Sequence, residues 1–210
     1  MYESLTFATA GVVLFGFIFE KVNKTKFVCL GSAILGFIFM VIAHKTMVFS
    51  SRIQPLMPAL QSSWLTYHVV TIMLSYSAFT ISFLVSMIYV FKDFLGGDES
   101  PIGLLKKIPG LEKIELFNYK IIAVGFPLLT LGIITGAIWA NIAWGRPWGF
   151  DPKETWSAIT WLIYASYLHI RFLSGWKGRG SIIISILGFA AVLFTYLGVN
   201  YLLPSLHSYV

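Results

Sequence analysis

The stretch WANIAWGRPWGFDPKETW, residues 139–156, gathers four of the chain's seven tryptophans, two acids and two cations into eighteen positions. These residue types at this spacing suit a flat, apolar group with acidic edges. Trp139, Trp144, Trp148 and Trp156 offer aromatic faces. Gly145 and Gly149 let the backbone come close, Pro147 stiffens the turn between them, and Arg146 or Lys153 can pair with carboxylates at the rim. A porphyrin with two propionates answers that description. The stretch also has a plainer reading. Tryptophan concentrates at membrane interfaces because its ring suits the headgroup region. Asp151-Pro152-Lys153-Glu154 spells a helix start, with Asp151 as N-cap, proline in the first turn and Glu154 closing a capping box.

A haem reading needs axial ligands, and the chain has four histidines. His68, in PLMPALQSSWLTYHVV, and His207, in NYLLPSLHSY, fall at helix ends on the same face as the Trp-rich loop, one on each flank. Two imidazoles bracketing an aromatic platform fit a bis-histidine haem site. They fit equally well as two hydrogen-bonded interfacial histidines. His169, in WLIYASYLHIRF, lies 15 residues beyond Glu154, which is about 22 Å along a helix. An ionisable group inside a spanning segment points to function, and its partner must be named. His44 is the only histidine left, and it sits near the opposite surface, so the two cannot share one iron. His169 is therefore either a packed structural residue or half of a site completed by another polypeptide. His44 reads as an interfacial residue.

The elements that must position these residues are membrane helices. The 210 residues are 57% hydrophobic and 11% charged, against about 25% charged in soluble domains. Spans of about 20 apolar residues are expected at 5–19, 27–49, 66–91, 119–140, 155–173 and 181–200. The expected fold is an all-α integral membrane protein of about six transmembrane helices, one polytopic domain over 1–210, with the Trp-rich loop between the fourth and fifth. Of the 15 Lys and Arg, 11 fall at connections 20–26, 92–118 and 174–180 or the adjoining helix ends. The positive-inside rule then puts both termini and the Trp-rich loop on the non-cytoplasmic side. The net charge of +6 is a topology signal, and nothing points to nucleic acid. The 92–118 connection has the composition of a short interfacial helix. The first apolar segment lacks a basic leader and cleavage site and reads as a retained helix. Cys29 is the only cysteine, so there is no disulfide framework and no C-x-x-C-H haem attachment. No Ser-His-Asp set, P-loop or clustered metal-ligand pattern argues for other chemistry.

GAIWANIAWGRPWGFDPKETWSAITWLIYASYLHIR resembles the tryptophan-rich "WWD" signature of CcsA/ResC-type cytochrome c biogenesis proteins. PLMPALQSSWLTYHV and GVNYLLPSLHSY are similar to that family's two external histidine segments. The resemblance runs from about residue 50 to the C-terminus, and DPKETW and YLHIR favour the CcsA branch over the CcmC branch of the superfamily. It implies that His68 and His207 are external axial ligands holding non-covalent haem b against the loop from Trp139 to Trp156. It implies that His169 is one ligand of a second site inside the membrane, completed by a CcsB/ResB-type partner. It also implies a haem lyase or synthase component in a bacterial cytoplasmic membrane or its thylakoid equivalent, with the haem site facing the periplasm, cell exterior or lumen. There haem would meet the thiols of an apocytochrome c C-x-x-C-H motif. Two positions depart from the pattern: Phe150 replaces the usual Trp before Asp151, and Ile142 replaces an acid common in the family. The chain is also shorter than many relatives, as expected of a compact member dependent on its partner. A CcmC-like haem exporter or chaperone would share the external site without forming the thioether. A membrane cytochrome b carrying electrons would need paired histidines on facing helices, and only His169 lies at that depth.

Overall fold

A hydrocarbon solvent leaves backbone amides no partner but one another, which only helices and closed barrels satisfy, and apolar runs of about 20 residues are of helix rather than barrel-strand length. The computed structural model describes residues 2–23, 26–45, 61–103 and 105–203. The main helices are α1 (Tyr2–Asn23), α2 (Lys26–Lys45), α3 (Ser63–Phe94), α4 (Leu111–Trp144), α5 (Pro152–Ser174) and α6 (Arg179–Leu193). A π-helical turn, Phe194–Gly198, carries α6 into the short α7 (Val199–Leu202). Among the described residues there is no strand. The protein is all-helical and membrane-integral in character, as expected.

Each of the six apolar segments is a helix, but the segments are not equally suited to crossing a bilayer. Four are long and apolar enough: Ser4–Val22, Ser63–Phe94, Leu111–Trp144 and Arg179–Leu202. The apolar part of α2 is shorter, Phe27–Ile42. α5 has 23 residues, enough length, but its tryptophans, tyrosines, hydroxyl residues and His169 make it less apolar. α4 has 34 residues, about 51 Å at 1.5 Å each, so it overruns the bilayer core and starts eight residues before the expected span. The connection before it holds two 3-10 turns, Gly97–Glu99 and Leu105–Lys107. Lys92 pins it, donating to the carbonyls of Ile108 (3.2 Å) and Pro109 (2.8 Å) and pairing with Asp98 at 2.7 Å.

α3 and α4 form the central pair, in close contact because small residues line their seam. A Cβ on Gly132 would meet Ile72 Cδ1 at 2.5 Å, and one on Gly125 would meet the Phe79 ring at 2.8 Å. Without hydrophobic drive between helices in lipid, such close backbone packing and interhelical hydrogen bonds hold the bundle. α1 joins α3 through Ser77 Oγ, which donates to Ala8 O at 3.1 Å. Toward the lysine-rich end, Arg171 on α5 and Glu115 on α4 form a buried ion pair, and Ser181 Oγ on α6 donates to the same Glu115 oxygen at 2.9 Å. The Arg171 guanidinium also lies 4.7 Å from the centre of the Tyr119 ring.

Leucine at Glu115 strands the Arg171 cation. A loss of about 3–5 kcal/mol is expected for breaking a buried pair from one side, read as a lower thermal midpoint in detergent. Leucine at both positions recovers most of it.

Candidate functional site

The loop after α4 is shaped by its caps. Gly145 takes a left-handed conformation (φ 74°) and its N–H closes α4 onto Asn141 O. Asp151 caps α5, accepting from Lys153 N at 3.2 Å. Glu154 Oε2 accepts from Gly149 N at 2.7 Å and Asp151 N at 3.2 Å. The capping box read from the sequence is present, and Glu154 also ties down the loop through Gly149. Phe150 adopts φ 55°, unusual for a side-chain-bearing residue, and is 81% exposed.

Behind this loop lies a cavity of about 320 Å³ bounded by α1, α3, α4, α5 and the π turn. Of the sequence-derived candidates, His68, Trp139, Trp148, Lys153 and Glu154 lie on its wall. His68 is half-buried, and its Nδ1 bonds to Gly132 O at 2.7 Å. A carbonyl can only accept, so the proton sits on Nδ1 and Nε2 carries the lone pair a metal would use. Gly136, one turn on, makes room for the ring, since a Cβ there would meet His68 Nδ1 at 2.6 Å. Lys153 reaches across the opposite side and donates to Asn200 Oδ1 at 2.9 Å. Burial lowers its ammonium pKa below the ordinary lysine value, and Asp151 partly offsets this.

Other candidates stand one step back. Trp144 packs edge-on against Trp139, with centroids 4.8 Å apart, and Trp156 lies against Phe194 at 4.2 Å. Gly145 and Asp151 act as caps. The space over Gly149 is filled by the Arg146 guanidinium, whose Cζ lies 2.5 Å from where a Cβ would be, and Arg146 is itself exposed. His169 is exposed on α5, near the lysine-rich end. His44 is exposed at the end of α2. His207 lies outside the described residues. Among the described residues no group of three or more His, Cys, Asp or Glu is placed to hold a metal ion.

Sequence reasoning missed Gly136, Asn200 and the cavity's inner wall. Tyr76 and Tyr196 lie there with rings 6.2 Å apart, and Tyr196 hydrogen-bonds Ser4 at 2.9 Å. The spacing of Gly132 and Gly136 was the available signal for the first.

The sequence matches the family model described as cytochrome C assembly protein over residues 1–207. The chain belongs to the CcsA-type cytochrome c biogenesis family. The protein named cytochrome c biogenesis protein CcsA from Mesostigma viride is 40% identical, the match covering all of this chain and 75% of that protein. Those of Guillardia theta and Prochlorococcus marinus strain AS9601 are each 39% identical, with 75% and 74% of their lengths covered. The similarity to CcsA proteins spans the whole chain, α1 and α2 included, and is wider than the motifs from residue 50 onward that carried the resemblance.

Alanine at Gly136 is expected to push the His68 ring off Gly132 O. A shifted Nδ1 resonance in histidine-labelled protein would register it, with the fold retained; an unmoved resonance would mean that α4 yields instead.

Proposed function

We propose that the cavity is a haem seat, and that the chain is the haem-handling subunit of a cytochrome c synthase. The observation that supports this best is His68: an imidazole on the wall of an aromatic-lined cavity, held by an Nδ1 bond to Gly132 O that sets the tautomer with its lone pair on Nε2. The chemistry of His68, Trp139, Trp148 and Lys153 on one wall is what a haem b would call for. His68 would serve as one axial ligand and His207 as the other. Trp139 and Trp148 would face the macrocycle, with Trp144 and Trp156 behind them. Lys153 is better placed than Arg146 to pair with a propionate, being on the wall rather than outside it. Haem supplies the vinyl groups to which the thiols of an apocytochrome c C-x-x-C-H add. That addition calls for proximity rather than a protein nucleophile, and positioning of this kind supplies several kcal/mol. The chain's own task is to orient the haem edge and keep it facing the incoming thiols.

His169 supports the second half of the proposal. Its imidazole is exposed on α5 beside exposed Ile170, Phe172 and Leu173, with no side-chain hydrogen bond among the described residues. A CcsB/ResB-type chain covering this face would supply the other ligand. The biased distribution of Lys and Arg supports six spans with the cavity on the non-cytoplasmic side, in a bacterial cytoplasmic membrane or its thylakoid equivalent.

Pyridine haemochrome spectra of the purified chain, alone and with its partner, test this. Haem b is expected to be lost from His68→Gly and His207→Gly, with His169→Gly mattering only in the complex. Protein without haem in every preparation would overturn the proposal. Co-expression with apocytochrome c separates synthase from exporter, since only a synthase yields a thioether-linked product. The ammonium of Lys153 discharges at a lower pH than an ordinary lysine, so an anion it holds is released as pH rises through that lowered value. Lys153→Arg, charged throughout, is expected to keep its haem to higher pH; identical pH profiles would remove Lys153 from the site.

A further inference from the structure

A second polar region lies away from the cavity, toward the lysine-rich end, between α3, α4, α5 and α6. Asn118 Oδ1 accepts from Ser82 Oγ at 2.5 Å and Ser185 Oγ at 3.4 Å. Ser185 also bonds to Ser82 at 2.9 Å and Ser86 at 3.1 Å. One turn nearer the end is Glu115, joined to Arg171 and Ser181 through Oε1 alone. Glu115 and Arg171 line a surface pocket with Lys113 and Lys177.

Helix glue would account for the serine bonds, but not for what is left over. Glu115 Oε2, Asn118 Nδ2 and the hydroxyls of Tyr167 and Tyr164 are buried with no hydrogen-bond partner among the described residues. Glu115 and its three companions are each at most 2% exposed. Their chemistry is complementary. Nδ2 needs an acceptor, Oε2 needs a donor, and a hydroxyl can be either. Glu115 and Asn118 are three apart on α4, so their Cβ atoms lie about 5–6 Å from each other. A bridging water satisfies both, and several such partners are what a buried water requires.

The region ends abruptly. On α3, Phe79 stands between Ser82 and the cavity residue Tyr76. Its ring stacks on Tyr164 with centroids 3.8 Å apart and planes 6° from parallel. Phe83 stacks on Phe189 beside it at 4.5 Å.

We propose that Glu115, Asn118, Tyr167 and the serines Ser82, Ser86 and Ser185 form an aqueous half-channel. Water enters it from the pocket at the lysine-rich end and stops at the Phe79–Tyr164 layer, short of the cavity. The half-channel solvates the Glu115–Arg171 pair and brings water to mid-bundle from one side only. It is independent of whether the cavity holds haem.

Silver ion tests both hydration and side. It is small and charged, and it displaces the proton of a water-accessible thiol to leave a silver thiolate. Single cysteines are placed in a Cys29→Ser background of the full chain in sealed vesicles, and silver is scored by loss of later maleimide labelling after denaturation. Gly103→Cys and Arg146→Cys mark the two sides. Ser185→Cys and Ser82→Cys, near-isosteric changes, are expected to lose labelling only with silver on the Gly103 side. Full labelling retained at both from either side would show a dry core and overturn the proposal. Loss from the Arg146 side would overturn it too, and a folding failure of one variant leaves the other to decide.

Discussion

A backbone amide left unpaired in hydrocarbon costs several kcal/mol, and the fold follows from that constraint. With apolar runs of helical length, it makes each long apolar segment a helix and disfavours irregular backbone anywhere but at the two ends. It also means that side chains able to bind something must come either from loops at an end or from inward-facing positions on the helices. The chain uses both. The loop from Gly145 to Asp151 carries Trp148, α4 carries Trp139, and α3 brings His68 to the same cavity wall.

Asp151 and Glu154 show how little separates structure from function here. As a capping box they satisfy the first amides of α5. The second oxygen contact of Glu154, to Gly149 N, folds the preceding loop back over the cavity. The plain reading of DPKE and the reading as part of a binding platform are therefore two descriptions of one set of hydrogen bonds. The acids build the loop that presents Trp148, and the lysine between them faces the cavity.

The sequence made the helices legible because apolar runs of this length have few alternatives, and it made the start of α5 legible because capping is local. The helix lengths were less legible: α4 continues past its apolar core on charged residues that hydropathy discounts. The pairing of Glu115 with Arg171 spans 56 positions and depends on how α4 and α5 meet, which no local pattern encodes. The surroundings of Gly149 were not legible either. Its missing side chain does leave room, but the neighbouring Arg146 takes it.

The π turn at Phe194–Gly198 has a consequence for angular phase. An α-helix advances about 100° per residue, and a π turn accommodates one residue more than an α turn would. Everything after Phe194 is therefore rotated by roughly that angle relative to an uninterrupted α6. Asn200 meets Lys153 because of this offset. The turn works as a fixed clutch, letting one helix pack on its neighbours by one face below and address the cavity with another above.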